Sequence, residues 1–213
     1  MIETFPPFEA VVLAAGDYPV HPLPVRLLRE ATYVVCCDGA ANAYLERGGK
    51  PNAIVGDGDS FIAQPLDADC RRVVLPEQDT NDLTKSISFL HEQGVRRVAI
   101  LGATGGREDH TLGNISLLIE YLRLGMTMRM ITDHGIFIPA RGRQTFSGNE
   151  GQQVSVFICA ERVCSGKPLR YEGLRYPAPA RLANWWQGTL NECTGNEFTI
   201  DTDEDYLVYL PHR

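Results

Sequence analysis

The chain has 213 residues, 44% of them hydrophobic, with a formal charge of −7 and a pI near 5.2. That is enough apolar material for one large core or two modest ones, which argues against disorder, and the acidic balance without a basic run argues against a nucleic-acid partner. No stretch approaches the roughly 18 apolar residues of a membrane span, and the first seven residues carry neither a basic leader nor a long apolar run, so the sequence reads as a cytoplasmic protein with no membrane partner.

In chain order, short apolar runs alternate with helical patterns from residue 10 to about 132, the signature of successive β-α units and a mainly parallel, Rossmann-like sheet flanked by helices. Strands are predicted at residues 10–13, 33–37, 53–55, 72–75, 98–101 and 128–131. Helices are predicted at 24–30 and at 40–47, the latter stopped by Gly48-Gly49; the stretch after Asp59 is only weakly patterned. Leu83, Ile87 and Leu90 form one apolar stripe, and Leu112, Ile115, Leu118, Ile119 and Leu122 form another. Thr80 is the expected N-cap of the first of these helices, with Gly94 and Gly125 as C-terminal stops.

A polar, glycine-bearing link is expected around 133–151. Beyond it lie short β-prone runs at 153–159, 169–174, 198–200 and 206–210, with a helical period only at 180–186. The reading is therefore α/β: a larger α/β domain over residues 1–134 and a smaller all-β, sandwich-like domain over 135–213. Six cysteines (Cys36, Cys37, Cys70, Cys159, Cys164, Cys193) form no Cys-x-x-Cys pair and several sit in apolar runs, the pattern of reduced thiols rather than of a disulfide or zinc framework.

Chemistry-bearing residues gather immediately after the predicted strands. Asp38-Gly39 follows the second, Asp57-Gly58-Asp59-Ser60 the third, Asp79-Thr80-Asn81-Asp82 the fourth, and Gly102 to Asp109 the fifth. In a parallel sheet these loops share the carboxyl edge, where open α/β sheets bind ligands. Asp57 and Asp59 alone fit either a solvated Asp-Gly turn or a Mg²⁺ site, since two ionised carboxylates held close together repel unless a cation joins them. Asp82 and Lys85, three apart on one helix, read either as a cap with an exposed ion pair or as a metal ligand and a phosphate-binding cation. Gly102, Gly105 and Gly106 lead into a helix, so bare N–H groups there can cradle a phosphate, with Arg107 as a forked donor. No Walker loop or Gly-x-Gly-x-x-Gly fingerprint occurs. Trp185-Trp186 reads as core or subunit interface rather than as a ligand platform.

Taken together, Asp38-Gly39-Ala40-Ala41-Asn42, Gly56-Asp57-Gly58-Asp59-Ser60, Asp79-Thr80-Asn81-Asp82-Leu83-Thr84-Lys85 and Gly105-Gly106-Arg107-Glu108-Asp109-His110 resemble the thiamine pyrophosphokinase family in order, spacing and residue type. Gly173-Leu174-Arg175-Tyr176-Pro177 and Gly195-Asn196-Glu197 resemble segments of that family's thiamine-binding domain more loosely. Gly58, Glu108 and Gly195 depart from its usual residues without removing a charge.

The resemblance implies transfer of a pyrophosphoryl group from ATP to the hydroxyl of thiamine, giving thiamine diphosphate and AMP. It also implies a homodimer with thiamine held at the subunit interface. Under that reading Asp57, Asp59 and Asp82 hold Mg²⁺ and act with Lys85 in catalysis. Asp38, Asn42, Asp79, Thr80, Gly102, Gly105, Gly106, Arg107, Asp109 and His110 serve ATP and its phosphates, and Tyr176 and Asn196 contact thiamine. Two other readings use the same residues: a different Mg²⁺-dependent transferase or phosphatase, and a nucleotide- or thiamine-sensing module without turnover.

Overall fold

The computed structural model describes residues 7–62, 65–159, 168–179 and 184–212. The chain divides into two compact units, Met1–Asp133 and His134–Arg213. The first contains β1 (Ala10–Leu13), α1 (Pro22–Glu30), β2 (Val34–Cys37), α2 (Ala40–Glu46), β3 (Ala53–Gly56), β4 (Arg71–Val74), α3 (Asp82–Glu92), β5 (Arg97–Leu101), α4 (Glu108–Arg123) and β6 (Thr127–Ile131). Every strand pairing in this unit is parallel, in the order β6-β5-β1-β2-β3-β4.

The central strands are buried along their whole length, as expected of a parallel sheet covered by helices, whereas β4 is an edge strand with mostly exposed side chains. Leu83, Ile87 and Leu90 of α3 are buried as the predicted stripe requires. On α4 the stripe is buried only in its C-terminal half, at Leu118 and Ile119; Leu112 is exposed, one turn into the helix from the glycine loop. Gly94 and Gly125 take φ of +81° and +80° just beyond their helices, where a side chain would be strained.

The expected N-cap at Thr80 is corrected by one residue. Asn81 is the cap, its side-chain oxygen accepting the Thr84 N–H at 2.9 Å, while the Thr80 hydroxyl instead donates to Glu77 Oε1 at 2.6 Å. Asn81→Ala is therefore expected to cost about 1 kcal/mol of unfolding free energy in urea melting, the usual worth of such a cap.

The second unit contains β7 (Gly135–Arg141), β8 (Gln144–Ser147), β9 (Gln153–Ile158), β10 (Arg170–Glu172), β11 (Asn191–Glu192), β12 (Glu197–Asp201) and β13 (Asp205–Pro211). They form two antiparallel sheets, β11-β9-β13-β7 and β10-β12-β8, with Phe146 of β8 stacked on Phe198 and edge-on to Tyr206 of β13. The predicted polar link thus contains two strands. Pro139 and the polar, exposed face of β8 disguise them, and pairing with distant β13 and β12 supplies what local pattern lacks.

Of the predicted helix at 180–186, residues 180–183 lie outside the described residues, and Trp185–Gly188 is one 3₁₀ turn. Trp185 and Trp186 are 61% and 58% exposed, so neither belongs to the core; Trp185 leans on Phe157 of β9. Cys36, Cys37, Cys70 and Cys193 are free thiols, while Cys164 lies outside the described residues. Burial pushes the Cys37 thiol up to about 12, so it behaves as a small hydrophobe against Ser86. No helix among the described residues is long and apolar enough to cross a membrane.

Candidate active site

The parallel sheet places the ends of β2, β3, β4 and β5 on one edge, and the loops that follow them touch in sequence. After β4 the chain crosses to the far side of β1 to form β5, so the winding reverses between β1 and β5. Such a switch point opens a crevice at the carboxyl edge. Here the loop after β1 is pinned to the loop after β5: Gly16 N–H donates to the Gly102 carbonyl at 2.7 Å and Asp17 N–H to that of Thr104 at 2.8 Å. A Cβ on Gly39 would meet Ala15 on one side and Ser60 on the other at ordinary contact distance, which ties the switch point to the acidic turn.

Asp38, Asp57 and Asp59 each offer a carboxylate oxygen within 4.8 Å of the others. Asp38 ends a strand that is wholly buried and is itself buried; its Oδ2 accepts the N–H groups of Ser60 and Phe61 at 2.8 and 3.0 Å, which folds the turn after β3 back onto it. Asn42 secures the same turn, donating to the Ser60 carbonyl at 2.9 Å and accepting the Ile62 N–H at 3.0 Å. Gly56 is required by close approach, because a Cβ there would collide with the Asp38 side chain and stand 3.1 Å from the Asp82 carboxylate. Bringing these acids together therefore depends on the missing side chain at the end of β3.

The four carboxylates do not share one environment. The Gln78 amide, donating to Asp57 Oδ2 at 3.1 Å, and then the Asp59 N–H hold Asp57 below the usual carboxylate range. Burial, and after it the Asp57 charge, pushes Asp82 upward. Asp59 is exposed and accepts the Ser60 hydroxyl at 2.6 Å. An all-oxygen donor set of this kind fits a hard divalent cation such as Mg²⁺. The closest trio contains Asp38, with Asp82 adjacent across Gly56; Asp79 is exposed and lies outside that trio.

Lys85 projects from the first turns of α3 and its side chain is only 2% exposed. Its Nζ lies 3.8 Å from Asp82 Oδ1 and 3.9 Å from Glu77 Oε1, so the i,i+3 pair is buried at one end and not an exposed surface pair. Glu77, which the sequence pattern did not single out, also accepts the N–H groups of Asp79 and Thr80 at 2.9 and 3.1 Å. It thereby shapes the turn that delivers Asp82 and Lys85. Gln78 was missed likewise; both sit in an exposed polar run whose only signal is its place between β4 and a cap.

Gly102, Gly105 and Gly106 all take positive φ, 62°, 84° and 63°. At Gly105 a side chain would collide with the Asp17 carboxylate, so glycine is what lets the two loops close. Arg107 Nε donates to Asp109 Oδ1 at 3.1 Å, and this bond holds the Asp109 carboxyl below its usual range; the His110 N–H donates to the same oxygen at 2.9 Å. All three residues are exposed at the start of α4. Asn114, one turn further, donates to the Ala103 carbonyl at 2.9 Å and accepts from Asn81 at 3.0 Å, linking the glycine loop to the cap of α3.

In the second unit Tyr176 is exposed and held by its backbone. Its N–H donates to Asn191 Oδ1 at 3.0 Å and its carbonyl accepts from Asn191 Nδ2 at 2.8 Å. Asn196 is exposed in a turn, its carbonyl accepting the Gly148 N–H at 2.8 Å. The asparagine that organises the Tyr176 segment is therefore the buried Asn191.

Comparison with known proteins matches a family model to most of each unit. A model of the thiamin pyrophosphokinase catalytic domain matches residues 25–130, and one of the thiamin pyrophosphokinase substrate-binding domain matches residues 135–209. Thiamin pyrophosphokinase 1 of Caenorhabditis elegans is 36% identical over 106 residues, covering 46% of this chain and 44% of that protein. Thiamine pyrophosphokinase of Bacillus subtilis (strain 168) is 30% identical over 125 residues, covering 56% and 58%. The chain thus spans about half the length of the curated relatives it matches.

Among solved structures, thiamine pyrophosphokinase from Bacillus subtilis aligns with a TM-score of 0.76 at 23% identity, covering 95% of this chain and 98% of that one. Thiamin pyrophosphokinase from Candida albicans aligns with a TM-score of 0.75 at 18% identity, covering 100% and 96%. These two likenesses concern the fold. With both successive domain models matched, in order and over most of its length, the chain belongs to the thiamin pyrophosphokinase family.

Proposed function

We propose that this protein transfers a pyrophosphoryl group from ATP to the hydroxyl of thiamine, producing thiamine diphosphate and AMP. The observation that carries the reading is the gathering of Asp38, Asp57 and Asp59, with Asp82 and Lys85 adjacent, at the carboxyl edge of the sheet in a chain of this family. Asp57, Asp59 and Asp82 hold Mg²⁺, with Asp38 closing the set. When bound, the cation neutralises charge on the phosphate oxygens. Lys85 steadies a phosphate from a fixed, buried position, and bare N–H groups at Gly102, Gly105 and Gly106 donate to another. Arg107 is aimed by Asp109. Asn42, Asp79, Thr80 and His110 line the nucleotide side.

Phosphoryl-type transfer asks mainly for alignment and charge neutralisation, which these residues supply without a covalent intermediate. Residues 1–134 form the ATP- and Mg²⁺-binding domain and residues 135–213 the thiamine-binding one, whose two sheets act as layers of a small sandwich. Tyr176 stacks on thiamine and Asn196 contacts it. A homodimer with thiamine at the subunit interface suits the exposed Trp185 and Trp186, and unpaired thiols suit a cytoplasmic setting.

Incubation with ATP, Mg²⁺ and thiamine is expected to yield AMP and thiamine diphosphate in equal amounts, with none formed after chelation of the metal. Release of ADP, or AMP formation that ignores thiamine, overturns the proposal.

A further inference from the structure

Arg72 stands beside the acidic turn. It lies on edge strand β4, in register with Ile54, and its side chain reaches along the sheet edge until Nη2 stands 3.6 Å from the Cβ position of Gly58, between Asp57 and Asp59. Its guanidinium lies over the Phe61 ring, 5.2 Å from the ring centre, and the Phe61 N–H is one of the two that hold Asp38. Unlike Arg107 or Arg143, it forms no ion pair among the described residues, although it is next to the densest group of carboxylates in its unit.

Two physical points give this placement a use. A guanidinium stacked on an aromatic ring is held by its face, which leaves the in-plane N–H fork free for an oxyanion. Charge balance also demands a cation here. Four carboxylates with Lys85 and one divalent ion still carry net negative charge before any polyphosphate arrives.

We infer that Arg72 is a binding residue for the pyrophosphoryl group itself, contacting a phosphate that leaves with the acceptor and not with AMP. This rests on the function proposed above. The same contact persists in the diphosphate product.

The test uses the full chain with Arg72→Gln and Arg72→Lys, Mg²⁺ present, and two probes measured by calorimetry: inorganic pyrophosphate and AMP. Arg72→Gln is expected to weaken pyrophosphate binding about tenfold or more, the worth of one charge-assisted contact, while AMP affinity and the melting temperature stay at wild-type values. The KM for ATP rises in parallel, and Arg72→Lys recovers part of the loss because charge returns without the fork. Unchanged pyrophosphate binding in Arg72→Gln overturns the assignment, as does an equal loss for AMP together with a lowered melting temperature, which marks a purely structural stack on Phe61. Turnover of ATP and thiamine by the wild type is read separately. A wild type that makes AMP and thiamine diphosphate while Arg72→Gln matches it throughout overturns the Arg72 assignment alone; a wild type with no such turnover overturns the function instead.

Discussion

Replacing Asp59 with asparagine is expected to leave the fold intact and lower thiamine-dependent AMP formation by about two to three orders of magnitude, the scale on which removal of one preorganised electrostatic contact acts. Asp59 is exposed, and its one side-chain bond is to the neighbouring Ser60 hydroxyl, which an amide oxygen can also accept. No packing is lost. What is lost is a charge within 4.8 Å of Asp38 and Asp57. In metal-free protein that loss relieves repulsion, so the melting temperature should hold or rise. With Mg²⁺ added, the wild type should gain stability and the variant should gain far less, because only a folded site that binds the ion is stabilised by it. Turnover within twofold of wild type, or an undiminished Mg²⁺ response, removes Asp59 from the metal set.

Lys85→Met is the second large effect, and it should separate activity from stability in the same direction. The lysine side chain is buried, and its partners stand at 3.8 and 3.9 Å, too far for a well-formed buried ion pair. Its removal takes a poorly partnered charge out of the interior, which offsets the loss to Asp82 and Glu77, both of which keep contact with solvent. Unfolding free energy should therefore move by no more than about 1 kcal/mol. Activity should fall about a hundredfold or more, since a fixed cation facing the transferring phosphates acts mainly on the transition state. The fall belongs in kcat, with KM for ATP changing less. A variant that loses stability and keeps its turnover number identifies Lys85 as a structural residue.

The order of elements in the first unit was legible because its signals are local. A parallel strand buried on both faces is an unbroken apolar run, and Val34 to Cys37 or Ile54-Val55 cannot be read otherwise once helical stripes flank them. The loops could then be assigned to one edge by the geometry of βα units alone. The region at 135–147 was not legible, since β8 has no buried alternation and its pairing partner lies about fifty residues later. Asn81 lost the cap to Thr80 in the sequence reading because both are good capping residues; only the turn imposed by Glu77 decides between them.

The candidate site divides the same way. Asp38, Asp57, Asp59 and Asp82 announce themselves by residue type and by position after strands. Glu77, Gln78, Arg72 and Asn191 do not, because each acts through a neighbour that packing supplies: a buried ammonium, a shared carboxylate, an aromatic face, the backbone of a distant segment. The sequence by itself determined which acids lie at the carboxyl edge of the sheet, since chain order in a parallel sheet leaves them nowhere else to go. Tertiary structure alone decided how those acids differ, with Gln78 lowering Asp57 and burial raising Asp82, because proton affinity follows from solvent exclusion and through-space partners and not from spacing along the chain.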